Sequence, residues 1–417
     1  MEMYKKLNFN SLEINSRQQI AFGADDDERY FIKVEILKNP NKTNDIKKEY
    51  EILKYLNTQE SATVPTVYEL GFIDKEELSS IISDSQLLER IDATQFYYII
   101  QEYIPNIAAY HPADILLTMI EQKKLGVYQA DVKPANIRFN PKNSVCYFVD
   151  YDQAIFLDEE EKSLNNLEFL DFCSEYDKNK HGIGDWLRHF PQYTHNDVLN
   201  QFKNNSLDLK NTSIFKTQVT TNTPNGIYHT INEKDIFIDG SRGMKNRARL
   251  LDQVDFKNGE KVLDVGCNSG LLSEYLDARA CEVVGVDNDS RIVIAAKIIA
   301  NILGKQITYK HLDLDDAIEL DKFDTIMLFS VFHHTRDPIE NAKKITQACS
   351  RIILETRLLE RGKQPINGVW QDTSSWVFNT EQELVSFCER VFNGFELKKN
   401  LGKGDKNRYI LEFVKTT

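Results

Sequence analysis

The stretch Lys261-Val-Leu-Asp-Val-Gly-Cys-Asn-Ser-Gly270 decides the fold of the C-terminal half of this chain. A short apolar run ends in an acid and two glycines, and a helix-forming run begins at Leu271. Glycine lets the backbone turn sharply and approach a ligand closely, and the first turn of a helix offers unpaired N–H groups beside it. The spacing is D-x-G-x-x-x-G, which differs from the G-x-G-x-x-G of dinucleotide-binding loops. The stretch therefore predicts a strand, a tight turn and a helix, with a ligand at the turn.

Three more strand candidates follow, and each ends beside a polar residue. Glu282–Asp287 ends in an acid that can accept both hydroxyls of a ribose. Residues 307–312 lead into Asp313, which is placed to meet an adenine amino group, and residues 323–329 lead into Ser330-Val-Phe-His-His334. Because ligands of open α/β sheets bind at the carboxyl ends of parallel strands, these features predict one site at one edge of a mostly parallel sheet.

This series resembles the class I S-adenosylmethionine-dependent methyltransferases, over roughly residues 225–417. The resemblance implies S-adenosyl-L-methionine as cofactor. It implies that the cofactor-binding residues are Asp264, Gly266, Asn268 and Gly270 around the methionine part, Asp287 at the ribose, Leu312 and Asp313 at the adenine, and Ser330 after the fourth strand. Asn268 is a departure, because many members have a glycine there.

His333 and His334 are the catalytic candidates of this half. The methyl group of the cofactor is already activated by its sulfonium, so such an enzyme chiefly aligns the acceptor, and a base helps when the acceptor is a hydroxyl. Histidine titrates in the right range for that role. We expect one of the pair to face the site and the other to be structural.

A basic cluster lies just upstream, in an otherwise acidic protein. Its members are Arg242, Lys245, Arg247 and Arg249. The cluster could bind an anionic acceptor, or it could be a solvated helix face, and the sequence leaves both interpretations open.

The N-terminal half carries a second set of motifs. Asp131-Val-Lys-Pro-Ala-Asn136 is followed by an apolar run that ends in Asp150. In phosphoryl transfer an acid orients the attacking hydroxyl, while an Asn and another Asp hold magnesium on the phosphates. The set resembles the protein-kinase superfamily over roughly residues 10–205. The resemblance implies Asp131 as catalytic acid/base, Asn136 and Asp150 as Mg²⁺ ligands, Lys33 on the phosphates of ATP, and Glu49 as the partner that orients Lys33.

Several departures from the kinase pattern stand beside this resemblance. Gln129 replaces the usual histidine, Asp-Tyr-Asp at 150–152 replaces Asp-Phe-Gly, and a single glycine, Gly23, precedes Lys33. No A-P-E motif follows Asp150, which argues against a regulated kinase acting on proteins. We favour an active small-molecule or glycan kinase, and the alternative is a catalytically inactive kinase-like binding module.

The 417 residues thus suggest two domains and a linker. We predict an α+β, two-lobed kinase-like domain at 1–210, a linker at 211–240, and an α/β Rossmann-like methyltransferase domain at 241–417 with a mostly parallel sheet and a C-terminal antiparallel hairpin. In domain content, though not in domain order, the chain resembles the bifunctional kinase–methyltransferases that terminate bacterial glycan chains. A phosphorylated saccharide is therefore the expected methyl acceptor.

Composition limits the partners. A net charge of -13 argues against a broad nucleic-acid-binding surface. A loose resemblance of residues 324–356 to wobble-uridine tRNA methyltransferases keeps an RNA-modifying alternative open. We expect a cytoplasmic protein, because no apolar run is long enough to span a bilayer, the N-terminus has no signal-peptide pattern, and the six cysteines are scattered. The acceptors and the oligomeric state stay open.

Overall fold

The chain folds into two compact units. The structure is a computed structural model that describes residues 3, 7–9, 12–14, 20–36, 45–82, 95–105, 110–177, 187–216, 230–240, 243–316, 319–358, 378–404 and 408–416. The first unit comprises Met1–Thr217 and Asn232–Phe237, and the second comprises Gln218–Ile231 and Ile238–Thr417. The chain passes between the units inside the segment predicted as a linker. Arg242 lies outside the described residues.

The first unit begins with a five-stranded antiparallel sheet and one long helix. The sheet order is β1-β2-β3-β5-β4. The strands are β1 Glu13–Ile14, β2 Ile20–Ala24, β3 Tyr30–Ile36, β4 Val67–Asp74 and β5 Gln95–Glu102. Helix α1, Asp45–Thr58, buries Ile46, Ile52, Leu53 and Leu56 and contacts β3, β4 and β5.

The rest of the first unit is mainly helical and has three small sheets. Its helices are α2 Lys75–Ser80, α3 Pro112–Lys124, α4 Glu159–Ser163, α5 Asn166–Asp177, α6 His195–Leu199 and α7 Ser213–Lys216. Strands β6 Val127–Tyr128 and β9 Ile155–Phe156 pair, and so do β7 Ile137–Asn140 and β8 Val145–Phe148. A sheet in the order β10-β11-β13-β12 ends the unit, with β10 Phe202–Lys203, β11 Ser206–Asp208, β12 Ile231–Asn232 and β13 Ile236–Ile238.

Helix α3 is buried along nearly its whole length, and two of its buried polar side chains hydrogen-bond to other segments. Glu121 accepts hydrogen bonds from Ser61 Oγ at 2.9 Å and from the backbone N–H of Ala62 at 3.1 Å. Gln122 donates to Tyr151 Oη at 2.8 Å. Because buried polar groups are stable only when they are hydrogen-bonded, these contacts fix the segment around Tyr151 against α3.

The second unit is built on a seven-stranded mixed sheet in the order β16-β15-β14-β17-β18-β20-β19. The strands are β14 Lys261–Val265, β15 Glu282–Asp287, β16 Thr308–His311, β17 Thr325–Phe329, β18 Arg351–Arg357, β19 Phe395–Lys403 and β20 Arg408–Lys415. Strands β14 to β18 pair in parallel, whereas β20 is antiparallel to both of its neighbours. The predicted parallel sheet and C-terminal hairpin are confirmed.

Helices cover the apolar residues of this sheet. They are α8 Lys245–Leu251, α9 Leu271–Asp277, α10 Ser290–Leu303, α11 Pro338–Ala348 and α12 Glu381–Val391. Helix α10 begins at Asp289, whose side chain accepts from the backbone N–H of Arg291, and ends at the left-handed Gly304. The chain first adds strands on one side of β14 and then on the other. The order therefore reverses between β14 and β17, which is where open α/β sheets bind ligands.

The ring of Tyr309 explains two glycines in this sheet. A Cβ at Gly285 would lie 2.6 Å from the ring, and a Cβ at Gly270 would lie 2.2 Å from its hydroxyl oxygen. Gly270 also has φ of +89°, in the left-handed region, and it caps the N-terminus of α9. The glycine that precedes α9 is therefore required by packing as well as by the turn.

All six cysteines are free thiols and all are buried. Within the described parts of the chain, no helix is long and apolar enough to cross a membrane.

We expect Gly270→Ala to destabilise the second unit more than Gly304→Ala does. Both glycines have positive φ, where alanine costs about 1–2 kcal/mol. A methyl group at Gly304 meets nothing within 4 Å, whereas at Gly270 it collides with Tyr309. Urea unfolding of the two variants and the wild type measures the difference. Equal losses would contradict the packing argument.

Candidate functional site

The four polar features predicted from the sequence lie at one edge of the second unit's sheet. Asp264 is near the end of β14, Asp287 ends β15, Asp313 follows β16 and Ser330 follows β17. These strands are parallel neighbours, so their carboxyl ends meet at the same edge. The sequence therefore predicted the edge correctly.

Asp264 is a buried carboxyl group with one side-chain hydrogen bond. Its Oδ2 accepts from Ser273 Oγ at 2.7 Å. Burial, together with the charge of Asp287, raises the pKa of Asp264 to about 7, although the hydrogen bond from Ser273 and the charge of Arg247 oppose the rise. At neutral pH the carboxyl is close to half ionised, so a cationic ligand group would stabilise its charged form.

The loop after β14 contains three residues in the left-handed region. Gly266 has φ of 70°, Asn268 of 49° and Gly270 of 89°. Asn268 thus occupies a conformation that favours glycine, and asparagine is among the few other residues that adopt it readily. The Asn268 side chain accepts from the backbone N–H of Ser269 at 2.8 Å. This local bond explains how the loop keeps its shape without a middle glycine.

Asp287 lies at the same edge of the sheet, at the end of β15. Its carboxylate accepts from the backbone N–H groups of Asn268 and Asp289, each at 3.1 Å, and burial raises its pKa. The backbone N–H of Leu312 donates to the Asp287 carbonyl at 3.0 Å, which brings the predicted adenine-flanking pair, Leu312 and Asp313, close to the acid. The three residues assigned to the nucleoside therefore lie at neighbouring strand ends.

The donors and acceptors at this edge fit S-adenosylmethionine. Among the described residues, no lysine or arginine forms an ion pair with Asp264, so its carboxyl can take a cationic ligand group, and Asp287 can accept from ribose hydroxyls. Ser269 Oγ is buried and has no hydrogen-bond partner in the structure. A buried polar atom of this kind usually has a partner, so a ligand group at the loop would satisfy it.

Glu355, near the end of β18, is a residue that the sequence analysis missed. Its carboxylate is 1% exposed and accepts from Arg247 Nε at 2.9 Å and Arg247 Nη2 at 2.6 Å. It also accepts from Ser330 Oγ, and its carbonyl accepts from the backbone N–H of Ser330 at 2.9 Å. An acid near a strand end was the only local sign of this role.

The basic cluster is therefore divided by the structure. Arg247 pairs with Glu355, whereas Lys245 and Arg249 are exposed on α8. Arg242 is outside the described residues. Binding of an acceptor by these four side chains stays a prediction.

The two histidines occupy different environments in the short turn Phe332–His334. His333 is 2% exposed and its Nδ1 lies 3.1 Å from Thr356 Oγ1, whereas His334 is exposed. Burial holds the pKa of His333 well below its usual range, and the nearby positive charges of His334, Arg357 and Arg408 lower it further. His333 is therefore a neutral imidazole at pH 7, and a catalytic role for either histidine stays a prediction.

The first unit brings together the residues named by the kinase resemblance. Lys33 Nζ lies 2.7 Å from Glu49 Oε1 and 2.8 Å from Asp150 Oδ1. Burial alone would lower the pKa of Lys33, but the two carboxylates raise it above its usual range. The charge of Lys33 in turn lowers the pKa of Asp150. The three side chains form one charge network, in which Lys33 and Glu49 are buried and Asp150 is partly exposed.

Asp131 and Asn136 lie in a second network of the same unit. Asp131 Oδ2 accepts from Lys133 Nζ at 2.5 Å and from Asn136 Nδ2 at 2.8 Å. Gln129 accepts from the backbone N–H of Asp131 at 2.8 Å and donates to the carbonyl of Asp150 at 3.0 Å. The glutamine that departs from the kinase pattern thus links the Asp131 loop to Asp150.

Asn136 and Asp150 are the two residues predicted to hold Mg²⁺. Within the described ranges, no three His, Cys, Asp or Glu side chains form a metal cluster. Magnesium usually keeps several waters and binds one or two carboxylates together with substrate phosphates, so an acid and an amide fit it as a donor set. Binding of ATP and Mg²⁺ stays a prediction.

The fold and the edge of the second unit agree with a comparison of sequences. Residues 263–351 match a family described as a methyltransferase domain. The second unit carries a class I S-adenosylmethionine-dependent methyltransferase domain. Its matched part begins inside β14 and ends at the start of β18, so it contains Asp264, the glycine loop, Asp287 and the two histidines.

Curated relatives of the methyltransferase domain act on different acceptors. Ubiquinone biosynthesis O-methyltransferase of Dechloromonas aromatica is 29% identical over 109 residues, which is 26% of this chain and 45% of that protein. tRNA U34 carboxymethyltransferase of Campylobacter curvus is 28% identical over 173 residues, which is 39% of this chain and 58% of that protein. The chain thus spans about half the length of these relatives.

Among solved structures, magnesium protoporphyrin IX methyltransferase of Synechocystis with bound S-adenosylhomocysteine is similar to the chain. It is 22% identical, with a TM-score of 0.35, over 42% of this chain and 82% of that one.

The raised pKa of Asp264 predicts that cofactor affinity depends on pH. Below a pKa of about 7 the carboxyl is protonated and cannot pair with the ammonium group of S-adenosylhomocysteine. We expect the dissociation constant to be about tenfold higher at pH 6 than at pH 8, as measured by calorimetry. In Asp264→Asn the affinity should be weaker and should lose this component of the pH dependence. A pH-independent affinity of the wild type would remove Asp264 from the site.

Proposed function

We propose that the chain is a bifunctional transferase. Its second unit transfers a methyl group from S-adenosylmethionine, and its first unit transfers a phosphoryl group from ATP to a small molecule or a glycan. The observation that carries the kinase half is the charge network of Lys33, Glu49 and Asp150, with Asp131 and Asn136 hydrogen-bonded to each other in the same unit. Structural ion pairs also occur in proteins, but this one joins a strand lysine, a helix glutamate and the acid that follows β8.

In the first unit, each side chain has a separate role in the proposed phosphoryl transfer. Lys33 binds nucleotide phosphates, and Glu49 holds its ammonium group in place. Asp131 accepts the proton of the attacking hydroxyl, and Asn136 and Asp150 hold Mg²⁺. ATP supplies the phosphoryl group when it is bound.

In the second unit, the chain positions the methyl donor and its acceptor. Asp264 and the glycine loop hold the amino-acid part of the cofactor, and Asp287 holds its ribose. S-adenosylmethionine supplies a methyl group on a sulfonium. We propose a phosphorylated saccharide as acceptor, because a phosphate oxygen is already a charged nucleophile and needs alignment more than a base. The exposed cations Lys245 and Arg249 and the nearby Arg242 in the sequence support an anionic acceptor.

If Asp150 binds magnesium, ATP should stabilise the protein only when a divalent cation is present. We expect ATP with Mg²⁺ to raise the melting temperature of the wild type, and neither component alone to do so to the same extent. Asp150→Asn should abolish the rise, whereas Asp158→Asn, at the exposed start of α4, should keep it. Stabilisation by ATP that is indifferent to the metal, or no stabilisation, would favour the inactive kinase-like module.

Coupling of the two reactions can be measured with labelled S-adenosylmethionine. Hexoses and the matching hexose phosphates serve as probes, with and without ATP and Mg²⁺. We expect label in the sugar phosphates in all conditions, and label in the sugars only after incubation with ATP. Asp131→Asn should abolish the second and spare the first, because it removes the acceptor of the hydroxyl proton. Methylation of unphosphorylated sugars without ATP would contradict the coupling.

An RNA-modifying methyltransferase is the second candidate function. It is favoured by the match to a tRNA U34 carboxymethyltransferase, which extends over more of this chain than the match to the ubiquinone enzyme does. Transfer of label to tRNA, with binding that weakens steeply as salt rises, would support it over the glycan proposal.

A further inference from the structure

His333 and Thr356 form a buried side-chain contact in the second unit. Thr356 lies near the carboxyl end of β18 and is 2% exposed, as is His333. Among the described residues, the bond of 3.1 Å between Thr356 Oγ1 and His333 Nδ1 is the one side-chain hydrogen bond of either residue. The other ring nitrogen, Nε2, is buried and has no hydrogen-bond partner in the part of the chain that the structure describes. A ligand can therefore complete this pair only at Nε2.

The chemistry of the pair decides what such a ligand must offer. If Nδ1–H donates to the threonine, the hydroxyl proton of Thr356 stays buried without an acceptor, and no ligand at Nε2 can correct that. If the hydroxyl donates to Nδ1, the only unpaired donor is Nε2–H of His333, and a ligand oxygen can satisfy it. A buried unpaired donor costs free energy. A ligand therefore satisfies every donor of the pair only when the Thr356 hydroxyl donates to Nδ1 and the histidine proton is on Nε2.

The charges that face His333 favour a negative oxygen at Nε2. The ring of His334 lies against it, tilted by 43° and with ring centroids 4.2 Å apart. Arg357 follows Thr356 on β18, and Arg408 is the cross-strand partner of Arg357 on β20. The acid of this strand end, Glu355, is shared, because Arg247 binds it with two hydrogen bonds and Arg408 Nε lies 3.9 Å from its Oε2. The electrostatic effects that the structure assigns to His333 come from positive groups, and these disfavour a protonated imidazole.

We propose that His333 donates a hydrogen bond through Nε2–H to a negatively charged oxygen of the methyl acceptor, and that Thr356 is the positioning residue that fixes this tautomer. The inference rests on the proposed methyltransferase function and deepens it, because it names the acceptor as a phosphate or a carboxylate. In this tautomer His333 cannot remove a proton from a neutral hydroxyl, because Nδ1 accepts a hydrogen bond from Thr356 and Nε2 already carries a proton.

The tautomer can be measured directly in the full chain with ¹⁵N-labelled histidine. At pH 7 we expect Nδ1 of His333 to resonate as an unprotonated nitrogen and Nε2 as a protonated one, with His333→Gln giving the assignment. Thr356→Val should remove this preference and Thr356→Ser should keep it. Thr335→Val is the matched control, because it removes a buried hydroxyl that donates to the Phe332 carbonyl at 2.8 Å and leaves His333 untouched. A proton on Nδ1 in the wild type would overturn the proposal.

Anion binding gives an independent test. Inorganic phosphate or acetate, added with saturating S-adenosylhomocysteine, should shift the Nε2 resonance of His333 and leave that of the exposed His195 unchanged. The anion that acts at lower concentration identifies the acceptor as a phosphate or a carboxylate. Thr356→Val should raise the dissociation constant of that anion about tenfold and Thr356→Ser by less than about twofold. No response to either anion would overturn the proposal.

Failure of the proposed methyltransferase function can be distinguished from failure of the donor role of His333. If S-adenosylhomocysteine does not bind in calorimetry, the methyltransferase assignment of the whole chain fails, whatever the tautomer. If it binds while His333 carries its proton on Nδ1, only the donor role is lost.

Discussion

The carboxylate of Glu355 holds together the carboxyl edge of the methyltransferase sheet. A buried charge costs several kcal/mol unless it is paired and hydrogen-bonded. Here Arg247 supplies two bonds from α8 and Ser330 supplies another from the end of β17. One carboxylate thus joins a helix and two strands, and removing Arg247 would leave its charge poorly compensated in the interior. The position of α8 and the backbone of Ser330, which has φ of 60°, both follow from this requirement.

Local patterns in the sequence were sufficient to predict the strands of the second unit and the edge of the sheet where the candidate site lies. Strand β15 was predicted at its observed bounds, and the strand predicted at 323–329 is shorter by two residues, at Thr325–Phe329. Alternation, glycine turns and acids at strand ends are properties of neighbouring residues, so they can be read without knowing the fold. The parallel order then brought Asp264 and Asp287 together because the carboxyl ends of parallel strands meet.

Contacts between distant residues were beyond such patterns. Arg247 and Glu355 are 108 positions apart, and His333 and Thr356 are 23 apart on different elements. The basic cluster read as one surface in the sequence, but a helix turns its residues to different faces, so Arg247 is paired inward while Lys245 and Arg249 are exposed. Gln129 is a similar case. In sequence it is a departure from the kinase pattern, and in the structure its amide links the Asp131 loop to Asp150.

The burial of all six cysteines has a consequence for the chemistry of the intact protein. Only the thiolate attacks electrophiles, and burial raises the pKa of Cys146 and Cys267 well above the usual range and that of Cys281 to about 11. Alkylating and oxidising reagents therefore reach these sulfurs when the surrounding structure opens. Two cysteines belong to the first unit and four to the second, so the time course of alkylation, resolved by peptide mapping, reports the opening of each unit separately under native conditions.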